Sequence, residues 1–309
     1  LDFRRAQIHL NMGEHGPARE LGERSFVAAY RAGDERTAAQ AASLVSQYFV
    51  IAEMNPPTAQ HWDELATAAL SRIQGDPTPQ ELFHAVVAGR RHMVLGELEE
   101  GEVELERAVT FGERLYGADH PALFEILLVL SNLQSRRYAF PESRATAERC
   151  YAVISTALGD DHPSTARALA GLGLAVHYDG YSEDALGYLG RALAIDEQLD
   201  GWNHVHVAVD LSYTALVLQE SGYAVEAIAR LERALPIFRA SFGVDHPEVE
   251  LVLGNLARAQ HSAGMYREAR ASIEAAIAMH ERTGNTDEDT ADANFQTRAE
   301  IARFEAELR

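Results

Sequence analysis

Four histidines, His120, His162, His204 and His246, recur at an interval of 42 residues, and imidazoles repeated in this way invite a metal-binding reading. The interval itself argues against one shared ion. If each copy sits on its own helix pair, neighbouring copies lie about 10 to 20 Å apart, because every packed helix adds 8 to 10 Å. Histidine ligands of one zinc lie within about 2.1 Å of it. The series is therefore expected to serve turns or helix caps. His204 and His206 form a closer pair, but no third ligand stands at a suggestive spacing, so they are expected to be a surface pair and no metal site is expected.

Other chemistry fares no better. All 27 basic residues are arginine, which removes the phosphate-cradling lysine of nucleotide loops and any lysine Schiff base. GLGLAVHYDG from Gly171 mimics part of a dinucleotide fingerprint but lacks the preceding strand. Glu99, Glu100, Glu102, Glu104 and Glu106 read as a solvated helix face. The lone cysteine, Cys150, excludes an internal disulfide and falls in a row otherwise filled by alanine, so it is expected in the core. No nucleophile, base and orienting group converge, and no catalytic residue or cofactor is expected.

The elements that position these residues follow from the same interval. GADHP from Gly117, GDDHP from Gly159, GWNHV from Gly201 and GVDHP from Gly243 form one row. A second row runs LERAV from Leu105, AERCY from Ala147, LGRAL from Leu189, LERAL from Leu231 and IEAAI from Ile273. Between them lie Gly96, Tyr138, Gly180, Gly222 and Gly264, where glycine supplies the left-handed conformation that closes a helix. Val207, Leu211, Ala215 and Leu218, then Ala227, Leu231, Ala234 and Ile237, carry helical spacing on either side of one such turn. Pro121, Pro163 and Pro247 open first helices, where a missing N–H is harmless, and the Asp-His or Asn-His before them offers a cap. Each unit is a pair of antiparallel helices that buries its apolar face on copies of itself, which makes an all-α solenoid. Small residues mark close crossings at Ala185, Ala227 and Ala269, and at Ala108, Cys150, Ala192, Ala234 and Ala276. Gly75 and Gly33 extend the first row backwards and make residues 1–75 weaker copies.

This pattern resembles tetratricopeptide repeats in the lengthened 42-residue form of kinesin light chains. Bacterial multidomain regulators join such arrays to Ser/Thr kinase, nucleotide-switch or caspase-like domains. The motif is specific from about Gly96 to Arg282. The resemblance implies a right-handed superhelix over residues 1–309 as one domain, with degenerate repeats in 1–75, regular repeats in 76–286 and a capping helix in 287–309. First helices would line the concave wall. Carried across, that wall presents Phe83, Val87 and Arg90, then Glu125, Val129, Asn132 and Arg136, then Arg167, His177 and Tyr178. Ser212, Tyr213, Leu216 and Gln219 follow, with Asn255, Arg258 and His261 last. Kinesin-light-chain-like arrays hold a peptide backbone with one asparagine per repeat. Here Asn255 alone stands at that place, against Val87, Val129, Gly171 and Tyr213, which favours a globular partner or another domain of the same polypeptide.

Charge narrows the partner. The net charge of −20 opposes phosphate neutralisation, so no nucleic acid is expected. No apolar run approaches a membrane span, no membrane is expected, and the location is read as cytoplasmic. A chain that starts at Leu1 without a signal-peptide pattern is expected to be a piece of a longer protein. On the wall, four arginines stand against one glutamate, which suits a protein or peptide with an acidic segment or a C-terminal carboxylate. The competing view pairs those arginines with neighbours such as Glu125 and Glu220. The leading function is a non-enzymatic interaction module, the sensor or docking region of a bacterial signalling protein. A stand-alone scaffold comes second, and a helical-repeat enzyme or RNA binder is the remote alternative.

Overall fold

The computed structural model describes residues 2–11, 15–51, 56–73, 79–283 and 288–307. Among these, fifteen α-helices and one 3-10 turn account for the regular structure, and no strand occurs. The chain divides into two compact units, Leu1–Ala157 and Leu158–Arg309.

The first unit holds α1 (Asp2–Asn11), α2 (His15–Ala32), α3 (Glu35–Ile51), α4 (Pro56–Leu70), α5 (Pro79–Leu95), α6 (Leu98–Tyr116), α7 (Phe124–Arg136) and α8 (Phe140–Leu158). The second holds α9 (Pro163–Tyr178), α10 (Ser182–Asp200), α11 (Val205–Glu220), α12 (Ala224–Phe242), α13 (Pro247–Ser262), α14 (Tyr266–Thr283) and α15 (Glu288–Glu307). From α5 onward the helices pair in the expected register, and the array is an all-α repeat solenoid.

The three rows acquire physical roles. Leu105, Leu189, Leu231 and Ile273 are fully buried on the second helices. Each meets a small residue of the first helix of its pair. A Cβ added to Gly89 would lie 2.7 Å from Leu105, and one added to Gly173 would lie 2.7 Å from Leu189, so the bulk of the leucine is accommodated by absence of a side chain opposite. Ser131 occupies the matching place in α7 and hydrogen-bonds the carbonyl of Ser143 at 3.0 Å. Ala192 and Ala234 are fully buried, and Cys150 is 1% exposed with its thiol against the Phe124 carbonyl.

The turn within each pair has one hydrogen-bond pattern. At Gly180 (φ +96°) the N–H bonds to the His177 carbonyl and that of Tyr181 to Val176. Tyr138 repeats the pattern with φ +62°, the one non-glycine residue of positive φ among the described residues. The turn at Gly33 has the same bonds, from its own N–H to the Tyr30 carbonyl and from that of Asp34 to Ala29, and closes α2.

Candidate interaction face

In the second unit α9, α11 and α13 stand side by side, and their shared face is centred on Tyr213. Burial pushes the Tyr213 phenol up to about 12, the Glu248 carboxylate pushes it the same way, and Arg167 opposes them. Burial raises the phenol of Tyr178, with Glu220 adding to it, and also raises the carboxyl of Glu248. It lowers the Arg258 guanidinium, against the pull of Glu220. These shifts share one leading cause, the burial of Tyr178, Tyr213, Glu248 and Arg258. Arg258 donates to the side-chain carbonyl of Asn255 one turn before it.

The expected residues are distributed unevenly. Arg167 is exposed, whereas Tyr213, Gln219, Asn255, Arg258 and His261 are half-buried. His261 packs edge-on against Tyr266 at 5.6 Å. His177 is buried, with Nε2 donating to Glu220 at 2.9 Å and Nδ1 2.8 Å from the Ser182 hydroxyl. Both ring nitrogens are thereby engaged, so His177 supports the turn at Gly180. In the first unit Phe83 and Arg90 are half-buried on α5, and Asn132 and Arg136 are exposed on α7. Arg90 bonds Glu125 at 3.0 Å, as the competing view of the arginines expected. Glu220 instead meets His177.

The count of four arginines against one glutamate needs revision. Glu220 at the end of α11 and Glu248 in the first turn of α13 belong to the same face as Arg167 and Arg258. Both lie outside the inward rows carried over from the resemblance; the competing view had named Glu220 as a neighbour of the arginines, and Glu248 was not named. The face of the second unit is balanced in charge and carries both signs close together.

The histidine series caps helices. Each imidazole Nδ1 accepts the backbone N–H two residues on: His120 from Ala122 at 3.1 Å, His162 from Ser164 at 3.1 Å, His204 from His206 at 3.4 Å and His246 from Glu248 at 3.2 Å. The role follows from an extended backbone at the cap residue, which turns the side chain back over the orphan donors of the helix start. The third group that His204 and His206 were expected to lack is Asp200, whose carboxylate lies 3.1 and 3.0 Å from their Nδ1 atoms. It was overlooked because it ends the preceding helix, four residues before His204.

A cleft of 420 Å³ in the first unit is lined by Asp63, Glu64, Thr67, His84, Arg91 and Glu104, among others. Burial lowers the His84 imidazole, and its two nitrogens lie 3.1 Å from the hydroxyls of Ser43 and Thr67. A serine beside a histidine is the opening of a nucleophile and base pair. Ser43, however, is 1% exposed and faces the core. Arg91 is bonded to Asp63 at 2.5 Å, and His92 bridges Glu97 and Glu104, which raises its own titration range. These groups form a structural network of ion pairs and hydrogen bonds.

With this geometry in hand, the comparisons are consistent. Models of the tetratricopeptide repeat match residues 139–198 and 211–282, and a second such model matches 87–122, together more than half of the chain. The chain belongs to the tetratricopeptide-repeat proteins. No curated protein matches it. Among solved structures, kinesin light chain nearly identical TPR-like repeats from Podosopora anserina align with TM-score 0.54 and 22% identity, over 68% of this chain and 99% of that one. A Rap protein complexed with competence and sporulation factor aligns with TM-score 0.71 and 12% identity, over 97% and 84%. The signal transduction ATPase with numerous domains from Pyrococcus horikoshii, which has a tetratricopeptide repeat sensor, aligns with TM-score 0.56 and 14% identity. This chain is covered to 99% and spans half of that protein. These likenesses are of fold. Among the described residues no helix is long and apolar enough to cross a membrane.

Proposed function

We propose that the chain is a non-enzymatic protein-interaction module whose first-helix faces dock a protein or peptide. It would serve as the sensor or docking region of a larger bacterial signalling protein. The observation that carries this reading is the Tyr213-centred face, where Arg167, Arg258, Glu220 and Glu248 stand around Tyr178 and Tyr213. Glu248 and Arg258 are partly desolvated, and such charges bind more strongly than solvated ones and discriminate by sign. Since both signs are present, the ligand that fits is amphoteric: an acidic group or C-terminal carboxylate for the arginines, with a donor for Glu248. The Rap protein complexed with competence and sporulation factor and the signal transduction ATPase with a repeat sensor support the choice of class, because both share this fold.

The test is a hydrogen-exchange footprint of the complex with a captured partner. Protection should concentrate in α9, α11 and α13. Protection confined to α10, α12 and α14 contradicts the reading.

A further inference from the structure

The turn between α10 and α11 differs from its counterparts, and the repeat supplies the control. Position 200 is aspartate where the other copies have Tyr116, Leu158 and Phe242, and position 206 is histidine where they have Ala122, Ser164 and Glu248. In two of the other three copies an aromatic ring stacks on the cap histidine, Tyr116 on His120 at 4.8 Å and Phe242 on His246 at 4.3 Å. Here that cover is replaced by a carboxylate and a second imidazole. Two changes that both supply ligands have fallen on one turn.

From this geometry we infer that Asp200, His204 and His206 form a binding site for a divalent transition-metal ion of the zinc type. Their ligand atoms lie within 4.8 Å of one another, and Asp200 Oδ2 is 3.1 Å from His204 Nδ1 and 3.0 Å from His206 Nδ1. Zinc bonds of about 2.0 to 2.1 Å set the edge of a tetrahedron at about 3.3 Å, so both Asp–His distances fall within a few tenths of an ångström of it. The His204 contact itself calls for a cation. Its Nδ1 accepts the His206 N–H, and an atom that accepts has no proton to give to Asp200. Two acceptors therefore face each other across 3.1 Å, and the cap bond has lengthened to 3.4 Å against 3.1 to 3.2 Å in the other copies. A metal ion between them would bind both, the Nδ1 lone pair giving up the long cap bond for the metal.

The surroundings suit a positive charge. Asp196 and Asp210 are each 3% exposed, where neighbouring copies carry Ile154 and Phe238, and Ala168 and Val252. The three ligands stay reachable, their side chains being 28 to 45% exposed, and the fourth position is left to water. Two imidazoles favour zinc, nickel or copper and disfavour calcium and magnesium, which prefer all-oxygen sites.

Calorimetric titration of the chelator-treated full chain with Zn²⁺ tests the site, alongside Asp200→Leu with His206→Ser. Those substitutions copy the preceding repeat, which folds with them. The wild type should take up one ion per chain, and the double variant should lose affinity by more than about 100-fold, the upper range for losing even an outer-shell group. His162→Ala should leave uptake unchanged, and Mg²⁺ should not compete. Circular dichroism of the double variant establishes that any loss is not unfolding. No saturable uptake by the wild type, or equal uptake by the double variant, overturns the assignment.

Discussion

Asp210 hydrogen-bonds Asp196 across the seam between α10 and α11, and burial followed by the charge of Asp196 pushes the Asp210 carboxyl up to about 8. Two buried carboxyls that face each other cannot both ionise, so the pair retains a proton near neutrality and titrates as one unit. Its consequence for stability has a definite sign. The folded chain holds a proton that the unfolded chain releases near pH 4, so the contribution is fully present below that pH and is lost as pH rises towards 8. Asp210→Asn should flatten this decline and raise the melting temperature at pH 8, measured with chelator present. A steeper decline in the variant would mean that the pair is ionised and stabilised in the fold.

Tyr138 adopts a left-handed backbone where four other copies of the turn have glycine. Its ring is 80% exposed, so little packing opposes replacement. Left-handed conformation costs a side-chain residue roughly 1 to 2 kcal/mol, partly offset by the greater freedom of glycine in the unfolded chain. Tyr138→Gly is expected to stabilise the first unit by about 0.5 to 1 kcal/mol in urea denaturation. A loss of stability would show that the ring makes a compensating contact.

The alanine row tests the packing. Ala192 and Ala234 are fully buried where helices cross, and leucine there must displace its neighbours. Ala192→Leu or Ala234→Leu should cost roughly 1 to 3 kcal/mol. Unchanged melting would mean that the crossings are looser than drawn.

His162→Ala removes the acceptor for the Ser164 N–H and should cost about 1 kcal/mol, whereas His162→Asp should retain most of the cap. Equal melting of both variants would assign the histidine row to something other than capping.

Much of the fold was legible because a repeat averages away local ambiguity: Gly180, Gly222 and Gly264 each mark the same turn, and Leu189 and Leu231 the same core. The exceptions are residues that the repeat does not share. Asp200 is one, because it ends the preceding helix where the other copies carry Tyr116, Leu158 and Phe242. Glu220 and Glu248 were left off the interaction face because a rule for helix rows does not cover residues at helix ends, which the packing of three helices brings together around Tyr213.

The central claim is that the first-helix face of the second unit is the docking surface, and a charge-matched exchange tests it most directly. Arg167→Glu with Arg258→Glu alters that face, while Arg191→Glu with Arg230→Glu places the same charge on the exposed side of α10 and α12. Binding of a captured partner should be abolished by the first pair, nearly unchanged by the second, and weakened by salt in the wild type. Equal loss from both pairs, or none from either, would contradict the account.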